Sequence, residues 1–318
     1  MRTMSLHTKY RPSSFDEVIG QNNVISSLKR AVKDKSAKTF LFSGPAGTGK
    51  TTLARILANS FAGGEATAAN IEEVAAADRT GVDEMRQLAI RAQNRAIGPS
   101  PIKTIILDEC HRLTGNAWDA LLKPIEEPPK HVFWVFCTTN IGKVPKTILT
   151  RCLRYDLKPV SEELIYGLLL KVAENEQLET TEEVLEAVAE GAGGSPRQAL
   201  VWLTAVAACK TPGEAQAIMR SAAQSREVAD LCKWLMGGRG LTWAEALKYV
   251  KALEAAEAES TRIAVVNYLS AVLMNTNGND RARQLLSLLE AFSSPYNTSD
   301  GRAPLLRSIG LALNFDQQ

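Results

Sequence analysis

The sequence predicts a parallel α/β core followed by two all-helical domains, and three observations carry that prediction. Short apolar runs without polar alternation stand at TFLFSG (39–44), KTIILDE (103–109) and HVFWVFCTTN (131–140). Strands apolar on both faces belong to a parallel sheet covered by helices on both sides. Helical patterns separate these runs, the alternation expected of an α/β fold. After residue 161 the strand signal disappears, and Ala- and Leu-rich helical patterns run to the end. The expected division is 1–156 for the core, 157–210 for a small helical domain and 211–318 for a terminal helical domain.

Taken in order, residues 1–23 are polar and irregular up to FDEVIGQ. NNVISSLKRAVKD then places Val24, Leu28 and Val32 on one helical face. TFLFSG reads as a buried strand, and KTTLARILANSF as a helix opening directly from the loop after it. Residues 62–70 are small and of low complexity, as in a loop. IEEVAAAD is ambiguous by composition, whereas GVDEMRQLAIRAQNRA is helical. Beyond the core, SEELIYGLLLKVAENE, TEEVLEAVAEGAGG and SPRQALVWLTAVAAC form three short helices, residues 213–292 further ones, and LLRSIGLALN a last helix after the break TSDGRAP.

The 318 residues suit two or three domains, and 45% hydrophobic with 23% charged residues is an ordinary globular composition. A net charge of +2 excludes nucleic-acid binding through global basicity, so any such contact needs a local patch or several copies side by side. Cys110, Cys137, Cys152, Cys209 and Cys232 are scattered without a CxxC pair, which argues against zinc and for reduced thiols in a cytoplasmic protein. No signal peptide or apolar run of membrane-spanning length is present, so a soluble, intracellular chain with no membrane partner is expected.

SGPAGTGKTT contains the G-x-x-x-x-G-K-[ST] pattern, with Gly44, Pro45, Ala46, Gly47, Thr48, Gly49, Lys50, Thr51 and Thr52 around a phosphate. Its glycines let backbone N–H groups curl around the β-phosphate, Lys50 adds a point charge, and the Thr51 hydroxyl ligates Mg²⁺. The pattern lies between a strand and a helix, as that mechanism requires. Further on, the apolar run IILDE ends in Asp108, which can hold the Mg²⁺ shell, and Glu109, which can orient or deprotonate water. CTTN ends the next strand, placing Thr138, Thr139 and Asn140 beside the acid pair, either as sensors of the γ-phosphate or as strand caps. Arg197 opens a helix in GGSPRQAL, a poor place for a lone cation unless an anion is near.

KYRPSSFDEVIGQ, DECHRLTGNAWDALLKPIEEPPKHVFWVFCTTN and TILTRCLRY, in this order, resemble the clamp-loader ATPase subunits of the AAA+ class: the bacterial gamma/tau subunit and the small subunits of replication factor C. The likeness is close over residues 9–200 and otherwise confined to helical character. It implies an AAA+ P-loop core, a helical lid and a helical collar, with ATP and Mg²⁺ as cofactors. It also implies a role in DNA replication, in which ATP drives the opening of a ring-shaped sliding clamp and its placement on primer–template DNA. Tyr10, Arg11, Pro12, Val18, Ile19 and Gln21 would frame the adenine, Thr139 would be the first sensor and Arg197 the second. Arg151 falls in the family's serine-arginine-cysteine motif, here Thr150-Arg151-Cys152, and would complete a neighbouring subunit's site within a pentameric hetero-oligomer.

Two departures qualify the resemblance. FAGGEATAANIEE replaces a four-cysteine zinc module, and no basic or proline-rich tail follows, which suggests a minimal loader of a viral or archaeal-like kind. A branch-migration motor and a structural subunit without catalysis are the competing readings. Met85 and Leu88, spaced i,i+3, would meet the clamp or form their helix's core stripe. DNA phosphates would meet Arg112, Asn116 and Lys123, with Arg95 and Lys103 as weaker candidates and Thr114 or Asn116 capping the helix that follows.

Overall fold

The computed structural model describes residues 5–34, 37–64, 66–67, 69–76, 81–96, 100–237, 241–253, 258–296 and 301–313, excepting the side chains of 220–225 and 252. In chain order these form α1 (Leu6–Lys9), α2 (Asn22–Asp34), β1 (Thr39–Ser43), α3 (Lys50–Phe61), β2 (Ile71–Ala75), α4 (Val82–Ala92) and β3 (Lys103–Asp108). There follow α5 (Gly115–Glu126), β4 (Val132–Thr138), α6 (Lys146–Leu149), β5 (Leu153–Asp156), α7 (Glu162–Glu176), α8 (Glu182–Gly191) and α9 (Pro196–Val206). The remaining helices are α10 (Pro212–Leu235), α11 (Trp243–Ala252), α12 (Ala258–Met274), α13 (Asn279–Ala291) and α14 (Ala303–Ala312). Single 3₁₀ turns occupy Phe15–Glu17, Cys110–Arg112 and Ile141–Lys143.

Contacts divide the chain into two compact units, Met1–Gln216 and Ala217–Gln318. The first holds a five-stranded sheet ordered β2-β3-β4-β1-β5, with every described pair parallel. All residues of β1 and β4 are buried, which is why neither strand alternates in sequence. Successive side chains instead feed two cores on opposite faces. Leu41, Ile105, Leu107, Trp134 and Phe136 pack with Trp118 and Leu121 of α5. Phe40, Phe42, Ile106, Phe133 and Val135 pack with Leu28 of α2 and Leu53 and Leu57 of α3.

IEEVA, ambiguous in sequence, is the edge strand β2, paired with β3 from Ile71↔Thr104 to Ala75↔Asp108. The N-terminal segment is less irregular than its composition suggests, since it contains α1 and one 3₁₀ turn. Helices α7, α8 and α9 belong to the first unit. Thr181 and Ser195 cap α8 and α9 through bonds from Val184 N (3.4 Å) and Gln198 N (3.2 Å). The second unit has its own core, including Leu231, Leu269, Leu285, Phe292 and Ile309. Residues 298–300 of the expected break TSDGRAP, residues 65 and 68 of the expected loop, residues 77–78 of IEEVAAAD and the last residue of LLRSIGLALN lie outside the described residues.

Candidate functional site

Because β4 lies between β1 and β3, the C-terminal ends of all three strands converge on one edge of the sheet. The phosphate loop follows β1, Asp108 ends β3, and Thr138 ends β4. Glycine is required in the loop by both backbone and space. At Gly44 φ is +139° and a Cβ would stand 2.3 Å from Leu157 O. At Gly47 φ is +78° and a Cβ would stand 2.0 Å from Ser195 Oγ, so the loop tip and the N-terminus of α9 touch only because no side chain intervenes.

Lys50 opens α3 and is 6% exposed. Its Nζ donates to Gly44 O at 2.9 Å and Pro45 O at 2.7 Å. Burial lowers its pKa below the ordinary lysine value, while nearby Glu109 and Asp108 oppose that shift. The Thr51 hydroxyl donates to Asp108 Oδ2 at 2.8 Å. A hydroxyl and one carboxylate in direct contact at a phosphate loop suit Mg²⁺, which takes few protein oxygens and completes its shell with water and substrate phosphate.

Glu109 adopts a left-handed backbone, φ 50°, uncommon for a residue with a Cβ. Its N–H donates to Asp108 Oδ1 at 2.9 Å, and its Oε2 accepts from the Thr139 hydroxyl at 3.1 Å. Thus the second acid and the expected first sensor are joined. Thr138 is fully buried, and its hydroxyl accepts from Asn140 N at 3.0 Å, the strand-capping role.

A cavity beside the loop is lined by Tyr10, Arg11, Pro12, Val18 and Ile19, by Ala46 to Thr52, by Asp108 and Glu109, and by Arg197. Sequence reasoning missed five of its lining residues: His7, Glu17, Leu168, Pro196 and Leu200. Leu168 and Leu200 look like ordinary core positions in sequence, and only the packing of α7 and α9 turns them inward. The imidazole of His7 is held below its usual pKa by burial and then by Arg197 and Arg11. The guanidinium of Arg11 is likewise lowered by burial, then by Arg55 and Arg197. This concentration of cations suits a polyanionic ligand. Tyr10 OH and Lys9 Nζ both donate to Glu176, tying the segment before the cavity to α7.

Several expected positions lie elsewhere. Gln21 does not line the cavity. Its amide brackets the Lys158 backbone, donating to Lys158 O at 2.6 Å and accepting from Lys158 N at 3.3 Å. Met85 and Leu88 are 1% and 0% exposed, inside the core with Trp118 and Leu121. They are the core stripe of α4, and the expectation that they meet a clamp is corrected. The large apolar side chain that α4 does expose is Ile90, at 59%. Lys103 also leaves the DNA set, since its Nζ meets Glu72 at 3.0 Å and Arg91 O at 2.9 Å at the start of β3. Arg112, Asn116 and Lys123 are exposed, as is Arg95. Thr114, and not Asn116, caps α5, accepting from Ala117 N at 3.3 Å. Seven residues apart, Asn116 and Lys123 share one face of that helix.

Arg151 is on the opposite edge of the sheet. It lies two residues before β5, whose first residue, Leu153, pairs with Phe40 near the start of β1. Its guanidinium donates to Thr147 O at 2.8 Å and to Glu126 Oε1 at 2.9 Å. It has no part in the cavity of its own chain.

Comparison with known proteins relates this sequence to subunits of DNA polymerase III and replication factor C. A family model described as DNA polymerase III, delta subunit, matches residues 66–161. The replication factor C small subunit of Archaeoglobus fulgidus is 36% identical over 233 residues, covering 72% of this chain and 73% of that one. The DNA polymerase III tau subunit of Bacillus subtilis is 35% identical over 221 residues, and the gamma subunit of Buchnera aphidicola 34% over 219. The matched region spans 39% and 60% of those two bacterial relatives. Among solved structures, the Thermotoga maritima RuvB Holliday junction branch migration motor aligns with a TM-score of 0.56 and 22% identity over 78% of this chain and 87% of that one, a likeness of fold.

Proposed function

We propose, for a chain that belongs to the clamp-loader AAA+ ATPase family, that it hydrolyses ATP as one subunit of an assembly that opens a sliding clamp and places it on primer–template DNA. The observation that carries this reading is the division of the catalytic groups between two edges of one sheet. Lys50, Thr51, Asp108, Glu109, Thr139 and Arg197 gather around one cavity, and Arg151 faces away from it. Such a chain completes its site only beside another copy or a related subunit.

In this mechanism the loop amides and Lys50 hold the β- and γ-phosphates, and Arg197 closes on them from α9. Thr51 and Asp108 would hold Mg²⁺, which supplies charge neutralisation along the phosphates when bound. Glu109 orients a water and takes its proton as the water oxygen bonds to the γ-phosphorus and the bridge to the β-phosphate breaks, leaving ADP and phosphate. Thr139 reports the γ-phosphate to Glu109 through the hydroxyl they share. Arg151 of the neighbouring subunit offsets the charge developing on the transferred group.

The wider assignment rests on the same family. Residues 1–156 form the nucleotide-binding core, 157–210 the lid and 211–318 a collar through which a pentamer with other loader subunits assembles. Arg112, Asn116 and Lys123 would meet DNA phosphates, and the exposed face of α4 around Ile90 would meet the clamp. The place of action is the cytoplasm at the replication fork. Steady-state ATP hydrolysis by the assembly, measured with clamp and primed DNA present together and separately, tests the reading. Full stimulation should need both. Stimulation by a four-way DNA junction without a clamp would instead indicate a branch-migration motor.

A further inference from the structure

We propose that His111 is a positioning residue that holds the carboxylate of Glu109 in the orientation from which it activates water. This rests on the reading of Glu109 as the base. In a regular helix, residues two apart face away from each other. Here the left-handed backbone of Glu109 and the 3₁₀ turn Cys110–Arg112 fold His111 back beneath it. His111 Nδ1 stands 3.2 Å from Glu109 Oε2 and 3.2 Å from the hydroxyl oxygen of Thr138. The imidazole side chain is 15% exposed and the carboxylate 39%, so the contact lies on the protein side of the acid.

The carboxylate dictates the tautomer. An unprotonated Nδ1 would set a lone pair against an anionic oxygen, so Nδ1 carries hydrogen and donates to Oε2. That oxygen then accepts twice, from His111 and from the Thr139 hydroxyl at 3.1 Å. Oε1 accepts no hydrogen bond among the described residues, which leaves it for a water. Two donors on one oxygen stop rotation of the carboxylate without occupying the lone pairs that take the proton.

The test compares single-turnover ATP hydrolysis in the loader assembly, with clamp and primed DNA, for wild type, His111→Leu, His111→Asn and Glu109→Gln. Loss of an orienting partner costs about 10–100-fold where it has been measured at metal sites, and His111→Leu should lose about that much in rate while keeping wild-type ATP affinity. Asn carries an N–H donor near the position of Nδ1, so His111→Asn should recover most of the loss. A wild-type rate in His111→Leu, or equal slowness in the Leu and Asn variants, overturns the proposal. Glu109→Gln separates the two readings: if it hydrolyses normally, the base assignment fails, and if it is inactive while His111→Leu is normal, only the positioning role fails. Should His111→Leu lose ATP affinity, the wild-type protein decides by ¹⁵N NMR of its three histidines. His111 should carry a hydrogen on Nδ1, and an imidazole protonated at Nε2 alone refutes the argument.

Discussion

Replacing Arg151 with alanine should separate stability from turnover by several kcal/mol. Within one chain the guanidinium holds Glu126 and the Thr147 carbonyl, and the two paired side chains are 32% and 56% exposed. An exposed ion pair of this kind contributes about 0–1 kcal/mol. In a unit of this size that corresponds to a melting shift of at most about 4 °C. An arginine supplied across an interface to a transferring phosphoryl group contributes about 10³–10⁵ in rate, or roughly 4–7 kcal/mol. The isolated Arg151→Ala chain should therefore melt and bind ATP almost as wild type, while the assembly loses nearly all hydrolysis. Mixing is the decisive assay. Arg151→Ala chains have an intact phosphate loop, and Lys50→Ala chains have an intact finger, so combined they should regain part of the activity at interfaces where each supplies what the other lacks. No recovery at any mixing ratio would refute an arginine acting between chains.

Lys50→Ala should abolish ATP binding measured by fluorescence titration, because the loop amides alone do not offset the phosphate charge, whereas Asp108→Ala should retain nucleotide but lose its dependence on Mg²⁺. Met85→Ala and Leu88→Ala remove side chains from a closed core, so each should cost about 2–5 kcal/mol in denaturant unfolding; a near-neutral effect would return them to the surface. Arg112→Ala with Lys123→Ala should flatten the salt dependence of primed-DNA binding by the ATP-bound assembly, since about one counterion is released for each phosphate neutralised. An unchanged slope would place the DNA surface elsewhere.

The nucleotide side of the site was legible because its chemistry is local in sequence. Gly44 to Thr51 must lie consecutively to wrap a phosphate, and Asp108 and Glu109 end one apolar run. The clamp assignment failed for an equally physical reason. The i,i+3 spacing of Met85 and Leu88 defines a helical face but not what covers it, and here α5 covers it. β2 was ambiguous because an edge strand is half exposed: Glu72 and Glu73 interrupt its apolar pattern, and its ladder to β3 is a non-local pairing. The cavity wall of Leu168 and Leu200 depends on how α7 and α9 pack, which no spacing within either helix encodes.

The contact between Gly47 and Ser195 joins the phosphate loop to α9. Ser195 caps α9, and Arg197 lies two residues further on, so the helix end carrying the arginine rests directly on the tip of the phosphate loop. A phosphate held between Lys50 and Arg197 therefore bears on both elements at once. The N-terminal segment adds a second tie, because Tyr10 lines the cavity while its hydroxyl, with Lys9, holds Glu176 at the end of α7. On the proposed reading, a bound nucleotide would therefore bear on both α7 and α9, whereas Arg151 sits on the side of the sheet that faces away. On the proposed reading, binding and completion of the site are separate events: the first would engage groups of one chain, and the second would require another chain's arginine beside it.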